Sequence, residues 1–162
     1  MSKSVAVLNR FMLGYLNNLV ADIPEQMLYR HQDRKINSPG WCLGHLAVET
    51  DDAYKYLGNA SLIPDDWYAL FFYTAPPLDI DQALPSKGEL IDAVNSVFQA
   101  LNSAFERLDD AFLDRPCHSN FLKSYLNTER EWFIHVLTTH LATHAGNIAI
   151  WRRFCELGPA KY

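Results

Sequence analysis

Apolar residues recur along this chain at helical intervals. Val5, Leu8, Met12, Tyr15, Leu16 and Leu19 fall three and four apart, which predicts an amphipathic helix over 4–21, ended by Pro24. Residues 25–37 read as a polar connector, and His31 within it has no motif around it and reads as a surface residue. Ser38 is a fitting N-cap and Pro39 a fitting first helical residue for a second helix. That helix carries Leu43, Leu46, Ala53 and Leu57 on its apolar side and is stopped by Gly58-Asn59. The pattern then breaks. Pro64, Pro76, Pro77 and Pro85 punctuate a stretch crowded with Trp67, Tyr68, Phe71, Phe72 and Tyr73, in which only a helical turn over 65–71 is expected. A connection this long between helices is a crossover or a functional loop. Its aromatics can seal the end of a bundle, wall a pocket, or do both.

Ser86-Lys87-Gly88-Glu89 is a capping box that opens a third helix through Leu90, Val94, Val97, Phe98, Leu101, Phe105 and Leu108. After a second connector over 109–125, Thr128-Glu129-Arg130-Glu131 reads as another capping box. It opens a fourth long helix that Gly158-Pro159 stops. No strand alternation and no internal repeat interrupts this order. The expectation is one all-α domain over 1–162, a four-helix bundle with a long crossover between its second and third helices.

Composition narrows the function classes. The net charge is −5 with no basic block, which argues against a nucleic-acid partner. No apolar run approaches the ~18 residues of a membrane span, so no membrane partner is expected. The amino-terminal stretch resembles a signal peptide only until Asn9, Arg10, Asn17 and Asn18 interrupt it. Cys42, Cys117 and Cys155 are odd in number and form no CxxC, which excludes a zinc ribbon and suits free thiols in a reducing cytoplasm.

The candidate chemistry lies in the last helix, FIHVLTTHLATHAGNIAIWRRF over 133–154. At about 100° per residue, Phe133, Leu137, His140, His144, Ile148 and Trp151 share one stripe of roughly 80°, with His135, Arg152 and Arg153 directed away from it. Two imidazoles on a core-facing stripe need partners. A shared metal ion supplies one, and a polar network in the core supplies another. Three protein ligands with an open fourth position mark a catalytic metal site. The His-Glu-x-x-His pattern is absent, because Leu141 stands where its glutamate would be. On the second helix His45 shares a face with Trp41, Glu49, Asp52 and Tyr56; taken alone it reads as a satisfied structural histidine. His118 lacks a paired neighbour and is not expected to be a ligand.

Ser38-Pro39-Gly40-Trp41-x-Leu43-Gly44-His45-Leu46, joined later by His140-x-x-x-His144-x-Gly146-Asn147 and Trp151-Arg152-Arg153, resembles the DinB-like superfamily of small helical-bundle proteins. The proline-rich aromatic crossover and its Pro-Ser-Lys-x-Glu-Leu restart at 85–90 extend the resemblance over essentially the whole chain. The resemblance implies an up-down-down-up arrangement, a homodimer, and a divalent metal (zinc or nickel) held by His45, His140 and His144. It also implies a small-molecule substrate, in some relatives with a low-molecular-weight thiol in transferase or isomerase chemistry; metal-assisted hydrolysis is equally permitted, as is a non-catalytic, metal-stabilised binding or stress-response module. Asn147 stands where a glutamine is common. Gly146 would leave room for a helix or a substrate. Glu49 and Asp52 are candidates for orienting an imidazole or acting as general base, and Trp41, Asn147 and Trp151 for lining the pocket.

Overall fold

The computed structural model describes residues 2–31, 36–76, 78 and 81–160; Pro77, one of the prolines expected to punctuate the crossover, lies outside them. Among the described residues the chain is all helix and loop, with an isolated bridge between Pro116 and Thr128. Helix α1 spans Ser2–Ala21, α2 Pro39–Tyr56, α3 Asp66–Phe71, α4 Lys87–Phe105 and α5 Asp110–Leu113. The last long helix is continuous but not uniform. It runs as α6 over Glu129–Ile134, a π-helical segment over His135–His140, and α7 over Leu141–Phe154.

The long helices form a bundle in which the first packs chiefly on the last. α2 packs most extensively on α4 and also on α7, and α1 packs on α7 and α4. The core between them holds Leu16, Leu19, Leu43, Leu46, Leu90, Phe98, Phe133, Leu137 and Ile148, all essentially inaccessible to solvent. The stripe on α1 is turned from the one expected: Val5, Asn9, Leu13, Leu16 and Leu19 face inward, while Leu8 is 54% exposed.

The start signals act largely as read. Ser38 Oγ accepts from Trp41 N at 3.3 Å, and Ser86 and Glu89 form a complete capping box. Thr128 Oγ1 accepts from Glu131 N at 3.3 Å, but the Glu131 carboxylate reaches back to Asn127 N rather than to the cap, so this box is half formed. The stop signal is corrected. The last helix ends at Phe154, and Glu156, not Gly158, turns it off with a left-handed φ of 59°. Leu157 N donates to Arg152 O at 3.1 Å and Glu156 N to Arg153 O at 3.2 Å, the paired bonds of a Schellman closure. Helix α5, inside the second expected connector, was not foreseen; Asp109 caps it by accepting from Phe112 N at 2.7 Å.

The crossover is anchored rather than loose. Asp51, fully buried on α2, accepts from Ser61 Oγ, Leu62 N and Tyr68 OH at 2.7, 2.8 and 2.7 Å. Three donors offset the cost of burying that carboxyl group. They also pin the crossover so that α3 comes to rest against the middle of α2.

Candidate metal centre

His45 sits at mid-length on α2 and is 6% exposed. Its Nδ1 lies 2.8 Å from the carbonyl of Phe71, the last residue of α3. A carbonyl only accepts, so Nδ1 carries the proton and Nε2 presents its lone pair. Gly44 permits this contact: a Cβ there would come within 2.4 Å of the Phe71 ring. The Trp41 indole stacks on the His45 ring, with centroids 4.6 Å apart and planes 11° from parallel.

The π segment places the other two imidazoles. Widening a turn by one residue removes about 100° of rotation from everything after it. Leu141, Ala145 and Arg152 therefore turn onto the buried face, although a straight helix places them off it. His140 moves to the edge of that face and is half-buried, while His144 remains buried at 7% exposure. The carbonyls loosened by the wide turn have found donors. Thr138 Oγ1 donates to Ile134 O at 2.6 Å, Thr143 Oγ1 to Thr139 O at 2.8 Å, and the buried Asn9 of α1 donates through Nδ2 to Leu137 O at 2.8 Å.

The three rings converge. His140 Nε2 and His144 Nε2 are 3.1 Å apart, and the His45 ring centroid lies 5.3 and 4.8 Å from theirs. One ligand nitrogen from each residue lies within 4.8 Å of the other two. Burial drives these groups away from charge. It lowers His140 to about 2, with the neighbouring His144, His45 and His135 adding to the effect, and His144 to about 3, with His45 adding. His45 is also lowered by burial, against the opposing effect of its bond to Phe71. Neutral imidazole is the ligand form.

The donor set fits a late divalent metal. Two neutral imidazoles facing each other share at most one proton, and His144 Nδ1 is buried with no partner, so the protein alone leaves the cluster unsatisfied. Two Zn–N bonds of about 2.0–2.1 Å at a tetrahedral angle place their nitrogens roughly 3.3 Å apart, close to the separation of the facing Nε2 atoms. Among the described residues, no other group of three or more His, Cys, Asp or Glu has comparable spacing.

His45 and His140 line a cavity of about 390 Å³ together with Glu49, Asp52 and residues of both connectors. That volume is within the range of small-molecule sites. The crossover aromatics divide between the two expected roles. Trp67 and Phe71 are core, whereas Phe72 and Tyr73 wall the cavity, and Tyr73 stacks on Phe121 of the second connector at 6.3 Å. A larger open groove of about 1140 Å³ lies along Tyr29, Trp41 and Pro85 but touches none of the three histidines, so the cluster opens onto the smaller cavity.

The remaining candidates fall in different places. Glu49 Oε1 is 3.9 Å from His45 Nδ1, too far to orient it; the Phe71 carbonyl does that, and Glu49 accepts from Tyr73 N at 3.4 Å. Burial, with the charge of Asp52 adding, raises Glu49 to about 7 against that hydrogen bond. Asp52 is exposed on the cavity wall, and its pKa is raised, by burial first. Asn147 is half-buried, and a Cβ on Gly146 would meet nothing within 4 Å, so no helix is pressed against it. Trp151 is remote from the cavity: it is fully buried and donates through Nε1 to Arg30 O at 2.8 Å.

Two expectations are corrected. Arg152 does not point away but is 1% exposed, paired with Asp22 and donating to Leu19 O at 2.7 Å. His135 lines the cavity beside His140, with ring centroids 5.7 Å apart. Sequence reasoning missed the Phe71 carbonyl, because a backbone group has no signature. It also missed the role of Asn9, whose signal was a polar residue at a stripe position of α1. Cys42 is buried and its thiol pushed up to about 12 by burial, which makes it inert as a nucleophile.

The family model of the DinB superfamily matches residues 10–148. The chain belongs to the DinB superfamily. All three histidines of the centre lie inside the matched region. Solved structures of similar fold include a protein from Streptococcus pneumoniae, 17% identical, with a TM-score of 0.66 over 94% of this chain and 90% of that one. Another is an uncharacterized protein from Clostridium difficile, 15% identical, with a TM-score of 0.65 over 94% and 95%. At such identities the likeness concerns the fold alone. No match was found among curated proteins.

Proposed function

We propose that this DinB superfamily member is a metal-dependent enzyme acting on a small molecule, with zinc or nickel held by His45, His140 and His144. One observation carries the reading: three neutral imidazoles converge, two of them (His45 and His140) on the wall of a ligand-sized cavity, and among the described residues no fourth protein ligand closes the set. A structural zinc site is normally closed by four protein ligands, whereas an open position is the mark of a catalytic one.

When bound, the ion would supply Lewis acidity, lowering the pKa of a thiol or water and stabilising developing negative charge. The chain's own residues do the rest. The Phe71 carbonyl holds the His45 tautomer, Trp41 covers its ring, and Phe72, Tyr73 and Phe121 offer apolar surface to an electrophile. Glu49 and Asp52 are placed on the same wall to exchange protons with a bound group. The reaction class is thiol-dependent transfer or isomerisation, with hydrolysis as the variant in which water takes the place of the thiol.

Metal content of untagged protein tests the centre. We expect about one zinc or nickel per chain, lost in His45→Ala and His140→Ala, and a raised melting temperature on adding the ion. Protein that carries no metal and is not stabilised by divalent ions would sink the reading. A chelator-sensitive thiol-conjugation assay then separates an enzyme from a metal-stabilised binding module, which would show no turnover.

A further inference from the structure

A second polar cluster faces the same cavity. Glu129, at the start of α6, is 1% exposed and accepts from Tyr56 OH at 2.8 Å. Its two oxygens lie 2.9 and 3.1 Å from His118 Nδ1. A carboxylate only accepts, so Nδ1 of His118 carries the proton, and in the neutral ring Nε2 holds the lone pair. The ring is clamped: Tyr56 stacks on it with centroids 3.9 Å apart, and Trp132 meets it in T-shaped fashion at 4.4 Å. With Nδ1 occupied and the ring held on two sides, Nε2 is its remaining polar edge. The side chain is 35% exposed and lines the cavity shared with His45 and His140. Asp52 lies near enough for the charge of His118 to act on it.

A histidine that served only to tie the second connector to the bundle would turn its second nitrogen into protein. Here a buried carboxylate fixes the tautomer and orientation, and the free nitrogen is left at the cavity, the arrangement a general base requires. We infer that His118, positioned by Glu129, is the proton acceptor for the nucleophile that enters this cavity, a thiol or a water. The X–H bond breaks as Nε2–H forms, the electron pair stays on X, and the imidazolium positive charge lies against Glu129 and Asp52. The inference rests on the metal-centre reading for where the nucleophile then goes, but the state of His118 does not depend on the ion.

Two measurements separate the ideas. In the first, untagged protein at pH 7 is treated with diethyl pyrocarbonate and the acylated histidines are mapped by mass spectrometry, with the exposed His31 as internal reference. We expect His118 to be acylated several-fold faster than His31, and Glu129→Gln to remove that excess. If the variant does not fold, the wild-type comparison with His31 decides alone. His118 slower than His31 overturns the proposal. In the second, cobalt-loaded protein is titrated with 2-mercaptoethanol and the cobalt–thiolate absorption followed. We expect His118→Gln to raise the thiol midpoint about tenfold with cobalt affinity unchanged, and an unmoved midpoint overturns the proposal. Protein that takes up no cobalt sinks the metal centre instead, and leaves the acylation result to judge His118.

Discussion

Gly44 shows how a single hydrogen atom in place of a methyl group builds a ligand. With no Cβ in the way, the Phe71 ring lies against α2 and its carbonyl reaches His45 Nδ1 at 2.8 Å. Gly44→Ala, which touches no ligand, is expected to push Phe71 away and weaken metal binding by roughly 10- to 100-fold, the usual cost of losing a partner that orients a ligand. Isothermal titration with zinc against the wild type checks this, with helical content as the control. The same scale sets the pH behaviour. His140 and His144 have folded pKa values near 2 and 3, below their ordinary 6.5, so the unfolded chain binds more protons between those limits. Apo protein should therefore lose stability as pH falls below about 6.5, by up to about 1.4 kcal/mol per pH unit for each imidazole. Glu49, raised to about 7, acts with the opposite sign between about 4.5 and 7, as does the raised Asp52, against His140, His144 and the likewise lowered His45. Urea unfolding at pH 7 and pH 5 tests this: the loss should shrink in the His140→Gln/His144→Gln double variant. An equal loss there would contradict it.

At the level of elements, the π segment sets the geometry of the last helix. It carries one residue more than an α-helix between the same flanks, so removing one from it should restore a regular helix without rotating α7. Deletion of the exposed Thr139 is expected to leave metal stoichiometry intact and lower the melting temperature only modestly. An alanine inserted at the same place should instead disrupt the bundle, because the flanks would fall out of register. Arg152 shows what that register secures. Its guanidinium reaches Asp22, Leu19 O, Gly158 O and Leu157 O, tying the end of α1 to the closing turn of α7. Arg152→Ala is expected to cost about 3 kcal/mol in chemical unfolding, whereas Arg153→Ala, on the exposed side, should change it by less than about 0.5 kcal/mol.

For the molecule as a whole, the apolar surface left outside the core matters most. Val7, Leu8 and Phe11 on α1 and Ile150 and Phe154 on α7 are 45–66% exposed on two helices that pack together. The family resemblance implies a homodimer, and these exposed apolar side chains are the candidates for its interface. Sedimentation equilibrium should show twice the chain mass, and Phe11→Glu/Phe154→Glu should return it to a monomer with its metal still bound. No helix among the described residues is long and apolar enough to cross a membrane.

Much of this was legible in the order of residues, for a local reason. Caps, helix-breaking prolines and a repeat of three and four are properties of neighbours along the chain, so Ser38, Ser86 and the stripe from Leu90 to Phe105 announced their helices. The spacing of His140 and His144 was legible in the same way, since one turn of helix brings i and i+4 together. What depended on non-local contact was not. The convergence of His45 on that pair, the carbonyl that turns its ring, and the pairing of His118 with Glu129 are set by how α2, α3 and α6 come together. The placement of Arg152 depended on a π turn that a fixed 100° step cannot register. Residue order alone says which side chains can serve as ligands and on which helices they ride. Which of them meet is settled by the packing of the helices, because packing fixes rotation and depth, and a one-residue change in rotation exchanges a buried group for an exposed one.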